Sequence, residues 1–412
     1  MTRTRTALII GGGIAGPATA MALHKAGIDP VVYEAHPTGA DGIGVFLTLA
    51  SNGVDALRVL GADEPALAAG FPTPGITLRS GTGKRLGQTR TGGSLPDGTV
   101  SQTIKRADLY RVLHQEASSR GVRIEHGKRL IAAEDTGDGV RAVFADGSEA
   151  AGDVLIGCDG VHSAVRPIID AAAPSPAYAG LLNTGGYARG VRVDTAPGSY
   201  EMIFGRRAFF GYATAPDGEV WWFANVPRRD EPARGQAAAL TGDQWRPRLL
   251  QLFADDAGPA IALIEATPQI MTMSPIHTIA HLPTWHNGRM IVIGDAAHAP
   301  SPTSGQGASL SIEDAVMLAK SLRDQPSPQA AFARFEAARR PRVERIIKWA
   351  ARINNSKAAG PVASMLRDAM LPLILTMTAD SKALRQTYDY HIDWDTPTPG
   401  GGLTAVRPAL QG

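Results

Sequence analysis

A glycine pattern near the start of the sequence constrains the fold most strongly. Gly11, Gly13 and Gly16 directly follow a short aliphatic run at 6–10 and open a stretch of helical composition at 17–26. In a strand–turn–helix unit the first glycine permits the tight turn, the second lets backbone approach a phosphate, and the third lets the helix pack closely on the strand. The free amides at the helix N-terminus also favour anions. The pattern therefore predicts a βαβ unit that binds a dinucleotide.

Two further features of this unit agree with that prediction. Ile14 and Ala15 lie between the last two glycines, where their backbone can face a pyrophosphate. Glu34 ends the second predicted strand, 34 − 16 = 18 residues after Gly16, and its carboxylate can accept hydrogen bonds from ribose hydroxyls. The unit alone does not distinguish NAD from FAD.

A second stretch, late in the chain, has a similar character. An apolar run at 289–294 predicts a strand that ends just before Asp295, and helical periodicity begins near Ser311. An acid at a strand end can hold the hydroxyls of a polyol, and Ser311 with Asp314 resembles a capping box. The loop between strand and helix contains residues suited to lie beside a flat ring: Pro302, Gly305, Gln306 and Gly307. We expect this stretch to contact the same ligand.

A third motif lies between these two stretches. It consists of Cys158, Asp159, Gly160, Ser163 and Arg166. In this order the three motifs resemble those of the single-component FAD-dependent aromatic hydroxylases, the flavoprotein monooxygenases similar to para-hydroxybenzoate hydroxylase. The resemblance extends from Ala7 to about Ile353.

The resemblance implies roles for individual residues. Asp295 would hold the ribityl chain of the flavin, and Asp159 would lie near FAD in a motif also implicated in NAD(P)H binding, together with Arg166. Arg106 opens a predicted helix and fits the position of an arginine that contacts the cofactor.

One part of the resemblance is partial. Ile43, Gly44 and Val45 resemble a Gly-Ile-Gly stretch beside the flavin, and we expect Gly44 and Val45 to contact it. The family continues with a Pro-Asn pair, whereas this chain has Leu-Ala-Ser-Asn at 49–52.

The resemblance also implies a reaction. FAD would be the cofactor, NADH or NADPH a transient co-substrate and O₂ the oxidant, so that an aromatic or similarly electron-rich small molecule is hydroxylated through a flavin hydroperoxide. The sequence has no second glycine fingerprint in its middle, so we expect the nicotinamide to bind without a domain of its own. Two alternatives stay open. One is epoxidation, N-hydroxylation or oxidative rearrangement on the same scaffold, and the other is a non-catalytic FAD-binding protein.

The expected fold class is α/β, or α+β overall, with a Rossmann-like FAD-binding domain assembled from discontinuous segments. A mostly antiparallel β-sheet substrate domain would be inserted into it, and a helical region would follow. The expected boundaries are 1–70, 105–170 and 276–325 for the FAD-binding domain, 71–104 and 171–275 for the sheet domain, 326–395 for the C-terminal helices, and 396–412 for a flexible tail.

The inserted sheet supplies the substrate candidates. Aromatic residues concentrate at 200–223, which is typical both of a sheet core and of a wall that receives a flat ligand. The predicted pocket residues are Phe204, Phe210, Trp222, Met271 and Met273. The catalytic candidates are Arg206 or Arg207 to stabilise a phenolate, Tyr212 to relay its proton, and Pro302 beside the flavin. Two adjacent arginines in a hairpin are more often simply solvated.

Composition excludes several other classes. The net charge of +2 supplies no field for nucleic acid, and no apolar run is long enough to cross a membrane. A lone cysteine cannot form an internal disulfide, which indicates a cytoplasmic protein, and the histidine spacing predicts no metal site. The basic run that contains Arg339 and Arg342 is interpreted as a solvated helix face broken at Pro341. The sequence does not indicate an oligomeric state.

Overall fold

Strands and helices alternate along most of the chain. The computed structural model describes residues 4–38, 44–233, 235–236, 239–357, 368–372, 375 and 382–398. The strands in this part are β1 (Thr6–Ile10), β2 (Asp29–Glu34), β3 (Phe46–Leu49), β4 (Gly70–Pro72), β5 (Gly75–Ser80), β6 (Arg85–Arg90), β7 (Gln102–Lys105), β8 (Arg123–His126), β9 (Leu130–Asp135), β10 (Val140–Phe144), β11 (Glu149–Gly152), β12 (Val154–Gly157), β13 (Ala177–Ala188), β14 (Tyr200–Phe204), β15 (Phe209–Thr214), β16 (Val220–Pro227), β17 (Ser274–Thr278), β18 (His286–Asn287) and β19 (Met290–Val292). The α-helices are α1 (Ala15–Lys25), α2 (Ser51–Leu60), α3 (Asp63–Ala68), α4 (Arg106–Ser119), α5 (Val165–Ile169), α6 (Gly242–Phe253), α7 (Ala260–Ala266), α8 (Gly307–Asp324), α9 (Pro328–Lys357) and α10 (Lys382–Tyr388).

The first strand lies inside a six-stranded sheet. The strand order is β18-β19-β12-β1-β2-β8, and all neighbours are parallel except the antiparallel pair β18 and β19. Strand β1 is mostly aliphatic and nearly all buried. It is buried because helices cover this layer, and among them α1 and α8 contact each other. Strands β1, β12 and β19 come from distant parts of the sequence. Because they are parallel neighbours, their carboxyl ends meet at one edge of the sheet.

A second sheet has seven strands. Its order is β17-β13-β16-β15-β14-β5-β6, and it is antiparallel except between β14 and β5. Helices α6 and α7 pack on one of its faces, where Phe210 and Trp222 belong to the buried core. Two small antiparallel sheets, β9-β10-β11 and β3-β7-β4, complete the described strands. The expected fold class, a Rossmann-like domain with an inserted mostly antiparallel sheet, is confirmed.

Helix α9 differs from its predicted form in two ways. It continues through Pro341 without a break, and Arg339 and Arg342 are buried on it rather than solvated. The apolar side chains of Phe335 and Val343 are buried on either side of the proline, so packing offsets the hydrogen bond that Pro341 cannot make. The prediction of a solvated basic face is therefore wrong at these two arginines.

The two arginines neutralise a pair of buried carboxylates on α8. Arg339 donates from Nε to Asp314 Oδ1 at 2.7 Å and forms an ion pair with Glu313. Arg342 donates to both carboxylate oxygens of Glu313, at 2.9 and 2.7 Å. His298 lies 2.6 Å from the other oxygen of Asp314. Burial alone would raise the pKa of Asp314, but His298 and Arg339 lower it to about 2.

None of the described helices is both long and apolar enough to span a bilayer.

We predict that Arg339→Met lowers the free energy of unfolding by about 3–5 kcal/mol, because it leaves a buried carboxylate without its cation. Arg334, which is exposed on the same helix, provides the matched control, and Arg334→Met should change stability by less than about 0.5 kcal/mol. Urea denaturation followed by circular dichroism measures both. Equal stability of the two variants would contradict the burial of this ion network.

Candidate active site

A cavity of about 1790 Å³ lies between the two large sheets. Its wall includes the glycine turn after β1, the loops that follow β12 and β19, and one face of the seven-stranded sheet. Pockets for single small ligands are usually about 300–1,000 Å³. The cavity is therefore large enough for a dinucleotide together with a second small molecule.

The glycine turn has the geometry that a phosphate cradle needs. Gly11 has φ +103°, and a Cβ added to Gly16 would lie 2.0 Å from the carbonyl oxygen of Gly11. By contrast, a Cβ added to Gly13 would have no heavy atom within 4 Å, so this glycine borders open space in the cavity wall. Ile14 and Ala15 line the cavity beside it. The backbone at Gly13 is thus open to the cavity, as the close approach of a pyrophosphate requires.

Glu34 lies at the end of β2 and lines the same part of the cavity. Its carboxylate accepts hydrogen bonds from the backbone N–H of Gly12 at 2.6 Å and of His36 at 2.8 Å. These two amides fix the orientation of the carboxylate. Its remaining lone pairs suit a pair of ribose hydroxyls.

Asp159 holds the loop after β12 in place. Its Oδ2 accepts the N–H groups of Ala164 and Val165, at 2.7 and 3.1 Å, at the start of α5. The other oxygen, Oδ1, is buried without a hydrogen-bond partner in the described part of the chain, and burial raises the pKa of this carboxyl. An unsatisfied buried acceptor in a cavity wall indicates a donor that a bound molecule supplies.

Arg166, in the same motif, is placed differently. Its guanidinium donates to the carbonyls of Ala296 and Val161, both at 3.0 Å, and it does not line the cavity. It therefore ties the loop after β12 to the loop after β19.

Asp295 lines the cavity just after β19, with Arg106 also in the wall. Burial raises the pKa of Asp295, and the positive charge of Arg106 opposes that rise. A Cβ added to Gly44 would lie 3.0 Å from Arg106 Cδ, so the arginine packs directly on this backbone. Gly44 and Val45 line the cavity as expected from the sequence, while Ile43 lies outside the described residues.

The loop before α8 contributes Pro302, Gly305 and Gly307 to the wall. Gln306 does not line the cavity. It is fully buried, and its Oε1 accepts a hydrogen bond from Asn52 Nδ2 at 3.0 Å. Asn52 belongs to the 49–52 stretch where the family resemblance was partial.

Helix α8 begins at Gly307 rather than near Ser311, and the expected capping box is absent. Ser311 Oγ donates to the carbonyl of Gly307, and Asp314 Oδ2 accepts the N–H of Gly294. Because Gly307 itself lines the cavity, the amides of the first turn are closer to the ligand space than the sequence indicated.

Comparison with known proteins agrees with this site. Residues 4–350 match the family described as FAD binding domain. The chain belongs to this FAD-binding family. The predicted resemblance is confirmed, and so is the cofactor, FAD.

Two relatives and one solved structure indicate which class of enzyme this chain belongs to. The FAD-dependent urate hydroxylase of Klebsiella pneumoniae is 34% identical over 352 residues, which are 83% of this chain and 87% of that protein. The aurachin C monooxygenase/isomerase of Stigmatella aurantiaca is 31% identical over 386 residues, 92% of this chain and 97% of that one. The crystal structure of Klebsiella pneumoniae HpxO with FAD and uric acid has a TM-score of 0.80 at 28% identity, covering 93% of this chain and 97% of that chain. This member of the family is an FAD-dependent monooxygenase of the aromatic-hydroxylase type, for which NADH or NADPH and O₂ are the usual co-substrates.

The seven-stranded sheet presents one face to the flavin site. Phe204 pairs with Phe209 across the β14–β15 hairpin, and Phe223 pairs with Gly211 on the neighbouring strand. Side chains alternate along a strand, so residues two apart share a face. The residues of β14–β16 that line the cavity are Tyr200, Met202, Phe204, Phe209, Phe223 and Asn225.

Four of the five predicted pocket residues lie elsewhere. Phe210 and Trp222 stack on each other, with ring centroids 5.4 Å apart, on the opposite face of the sheet against α6 and α7. Met273 belongs to the same buried core, and Met271 does not line the cavity. Only Phe204 lies where it was expected. The alternation, counted from Phe204 across the hairpin, indicates Phe209 and Phe223 instead.

The structure does not bring the polar candidates to the flavin site. Arg206 and Arg207 are exposed at the β14–β15 turn, where the backbone N–H of Arg206 donates to Asp256 and the guanidinium of Arg207 contacts Asp255. Tyr212 is buried on the opposite face and donates to Glu201 Oε2 at 3.0 Å. Tyr200 is the tyrosine of these strands that lines the cavity, and sequence reasoning missed it.

We predict that Asp295→Ala weakens FAD binding by about 10–100-fold, the loss expected for hydrogen bonds to a charged group. Asp255→Ala, which removes a surface carboxylate next to Arg207, is the control and should bind FAD like the wild type. Flavin content after purification and titration of the apoprotein with FAD measure the effect. Wild-type flavin content in the Asp295 variant would contradict its placement at the ribityl chain.

We predict that Tyr212→Phe lowers stability by about 1.5–3 kcal/mol, because its hydroxyl bonds to the Glu201 carboxylate, but leaves substrate-stimulated NADH oxidation unchanged. Tyr200→Phe should do the opposite, with a near-normal melting temperature and an altered KM. Thermal unfolding and steady-state kinetics on the two variants test these separate roles. A kinetic defect confined to the Tyr212 variant would contradict the prediction.

Proposed function

We propose that this enzyme hydroxylates a flat, electron-rich aromatic or heteroaromatic small molecule in the space between the seven-stranded sheet and the flavin site. The observation that carries the proposal is the aromatic wall formed by Tyr200, Phe209 and Phe223 on the face opposite α6 and α7. Rings stack on flat ligands with little loss of side-chain entropy. The urate hydroxylase relative acts, by its name, on such a molecule.

Phe46 supports this wall from the small β3-β7-β4 sheet. Its ring contacts Tyr200 and Phe223 edge-on, both with centroids 5.8 Å apart, and lines the cavity. A Cβ added to Gly211 would lie 2.4 Å from the ring of Phe223, so the ring lies directly over this glycine. These contacts hold the rings in place and keep water away from the reacting centre.

When bound, FAD would supply the redox chemistry, accepting hydride from NADH or NADPH and activating O₂, which no side chain can do. The protein itself positions the cofactor and the substrate and shields them from water. Asp159, Asp295 and Arg106 would hold the cofactor, and Pro302 would lie beside its ring as a wall residue without an N–H to donate. Tyr200, whose pKa burial raises, would stay protonated and serve as a hydrogen-bond donor at neutral pH.

Epoxidation, N-hydroxylation and oxidative rearrangement are the alternatives on the same scaffold, and the substrate that the wall accepts would decide between them and hydroxylation. The proposed partner of the enzyme is thus a small aromatic molecule. We infer a cytoplasmic location from the single, buried Cys158 and the need for NADH or NADPH.

The test is substrate-stimulated oxidation of NADH and NADPH across a panel of urate, salicylate, 2-naphthol and 4-hydroxyquinoline, with the mass of each product recorded. We expect at least one compound to accelerate oxidation and to gain one oxygen atom. Phe223→Ala should raise its KM about tenfold through lost ring contact, whereas Ile131→Ala at an exposed site should not. No stimulation by any aromatic compound, or stimulation with no oxygenated product, would refute the proposal.

A further inference from the structure

Two asparagines form a polar pair in the otherwise apolar sheet wall. Asn183 on β13 and Asn225 on β16 lie directly opposite each other, and both line the cavity. Asn225 is almost fully buried, with 2% of its surface exposed. The other residues that this sheet contributes to the cavity are apolar or aromatic, except Thr89 and Arg90 on the edge strand β6.

The hydrogen bond between the two amides fixes the orientation of Asn183. Asn225 Nδ2 donates to Asn183 Oδ1 at 2.9 Å. The oxygen and the nitrogen of a primary amide lie on opposite sides of its terminal carbon, so Asn183 Nδ2 is directed away from Asn225. Within the described residues, Asn183 Nδ2 has no protein acceptor. Asn183 thus has two N–H donors at the cavity wall that no described residue uses.

An unused pair of donors suits an oxygen on the substrate. Aromatic hydroxylation is fastest when the ring is electron-rich, and N–H donors that face a ring oxygen stabilise the negative charge on it. The sequence suggests Arg206 or Arg207 for this role, but both lie exposed at the β14–β15 turn. The amide of Asn183 supplies neutral donors at the wall itself.

We propose that Asn183, oriented by Asn225, donates to a ring oxygen of the substrate and makes the enzyme selective for hydroxy- and oxo-substituted aromatic molecules. The inference rests on the proposed hydroxylase function and adds the substrate class to it. Asn183 is a specificity-determining residue that contacts substrate, and Asn225 is a positioning residue that acts through it.

The experiment compares two probes that share a ring system, 2-naphthol and 2-methylnaphthalene. Their dissociation constants are measured on the holoenzyme from the change in flavin absorbance. Asn183→Leu removes the donors at similar volume, so it should weaken 2-naphthol about tenfold and change 2-methylnaphthalene by less than about twofold. Ser274→Ala is the control, because Ser274 lies opposite Asn183 on β17, outside the cavity, and donates only to its backbone oxygen.

Asn225→Asp gives a second, independent readout. The introduced carboxylate can only accept, so the Asn183 amide should turn to donate to it and present its oxygen to the cavity. Coumarin, whose carbonyl accepts but has no N–H or O–H to donate, should then bind about tenfold more weakly than to the wild type. Flavin content should stay as in the wild type in both asparagine variants, and oxidation of NADH without substrate should stay as in the wild type in the Ser274 control.

The outcomes separate this inference from the proposed function. An equal loss of both naphthalene probes in the Asn183 variant, or unchanged coumarin binding in the Asn225 variant, would overturn the role of the amide pair alone. Failure of every aromatic compound to stimulate NADH oxidation in the wild type would overturn the hydroxylase proposal itself.

Discussion

The buried carboxylates of Glu313 and Asp314 are the constraint on which the site depends. Two adjacent negative charges inside a protein are tolerated only when cations and hydrogen bonds compensate for lost hydration. Arg339 contacts both, so α9 must lie against α8 with this side chain inward. The second oxygen of Asp314 accepts the N–H of Gly294, which precedes Asp295 directly. Neutralisation of a charge in the core thereby fixes the backbone that carries the acid of the flavin site.

The same network reaches the other side of the cofactor space. Asn52 Nδ2 donates to Glu313 at 2.6 Å and to Gln306 at 3.0 Å, so the start of α2 and the loop before α8 share one buried acceptor system. Gln306 was predicted to touch the cofactor, but it lies one layer behind the residues that line the cavity. Its contribution is to hold Gly305 and Gly307 in the wall. Buried polar networks of this kind limit the arrangements open to a site, because a buried polar group that loses its partner is costly.

Sequence patterns predicted the fold class and the cofactor correctly because the glycine turn that carries both is a local feature. The turn at Gly11–Gly16 depends only on backbone approach, and a strand, a turn and a helix specify it within a few residues. The aromatic wall could not be predicted from composition, because a shift of one residue moves a side chain to the other face. Phe209 and Phe210 are equally aromatic, and only the pairing of Phe204 with Phe209 distinguishes them.

The burial of Arg339 could have been predicted from its position in the helical pattern, although not from the composition of this segment. Phe332, Phe335, Val343 and Ile346 follow helical spacing, and Arg339 occupies the position between them on the same face. A charged residue at a core position of an amphipathic helix indicates a buried partner of opposite charge. Glu313 and Asp314 are adjacent acids at the start of a predicted helix, so the pairing could have been proposed from spacing, although the packing of the two helices could not.

The distribution of charge also favours the proposal that neutral groups activate the substrate. At the exposed β14–β15 turn the guanidinium of Arg207 pairs with Asp255, and Asp256 accepts the backbone N–H of Arg206. Glu201 on the opposite face is neutralised by Arg79. A guanidinium in the apolar wall would need a permanent counter-charge there, whereas an amide brings donors at a much smaller desolvation cost. A sheet wall built from rings and amides would therefore suit a neutral aromatic molecule before reaction and would still stabilise negative charge on its oxygen as the ring is attacked.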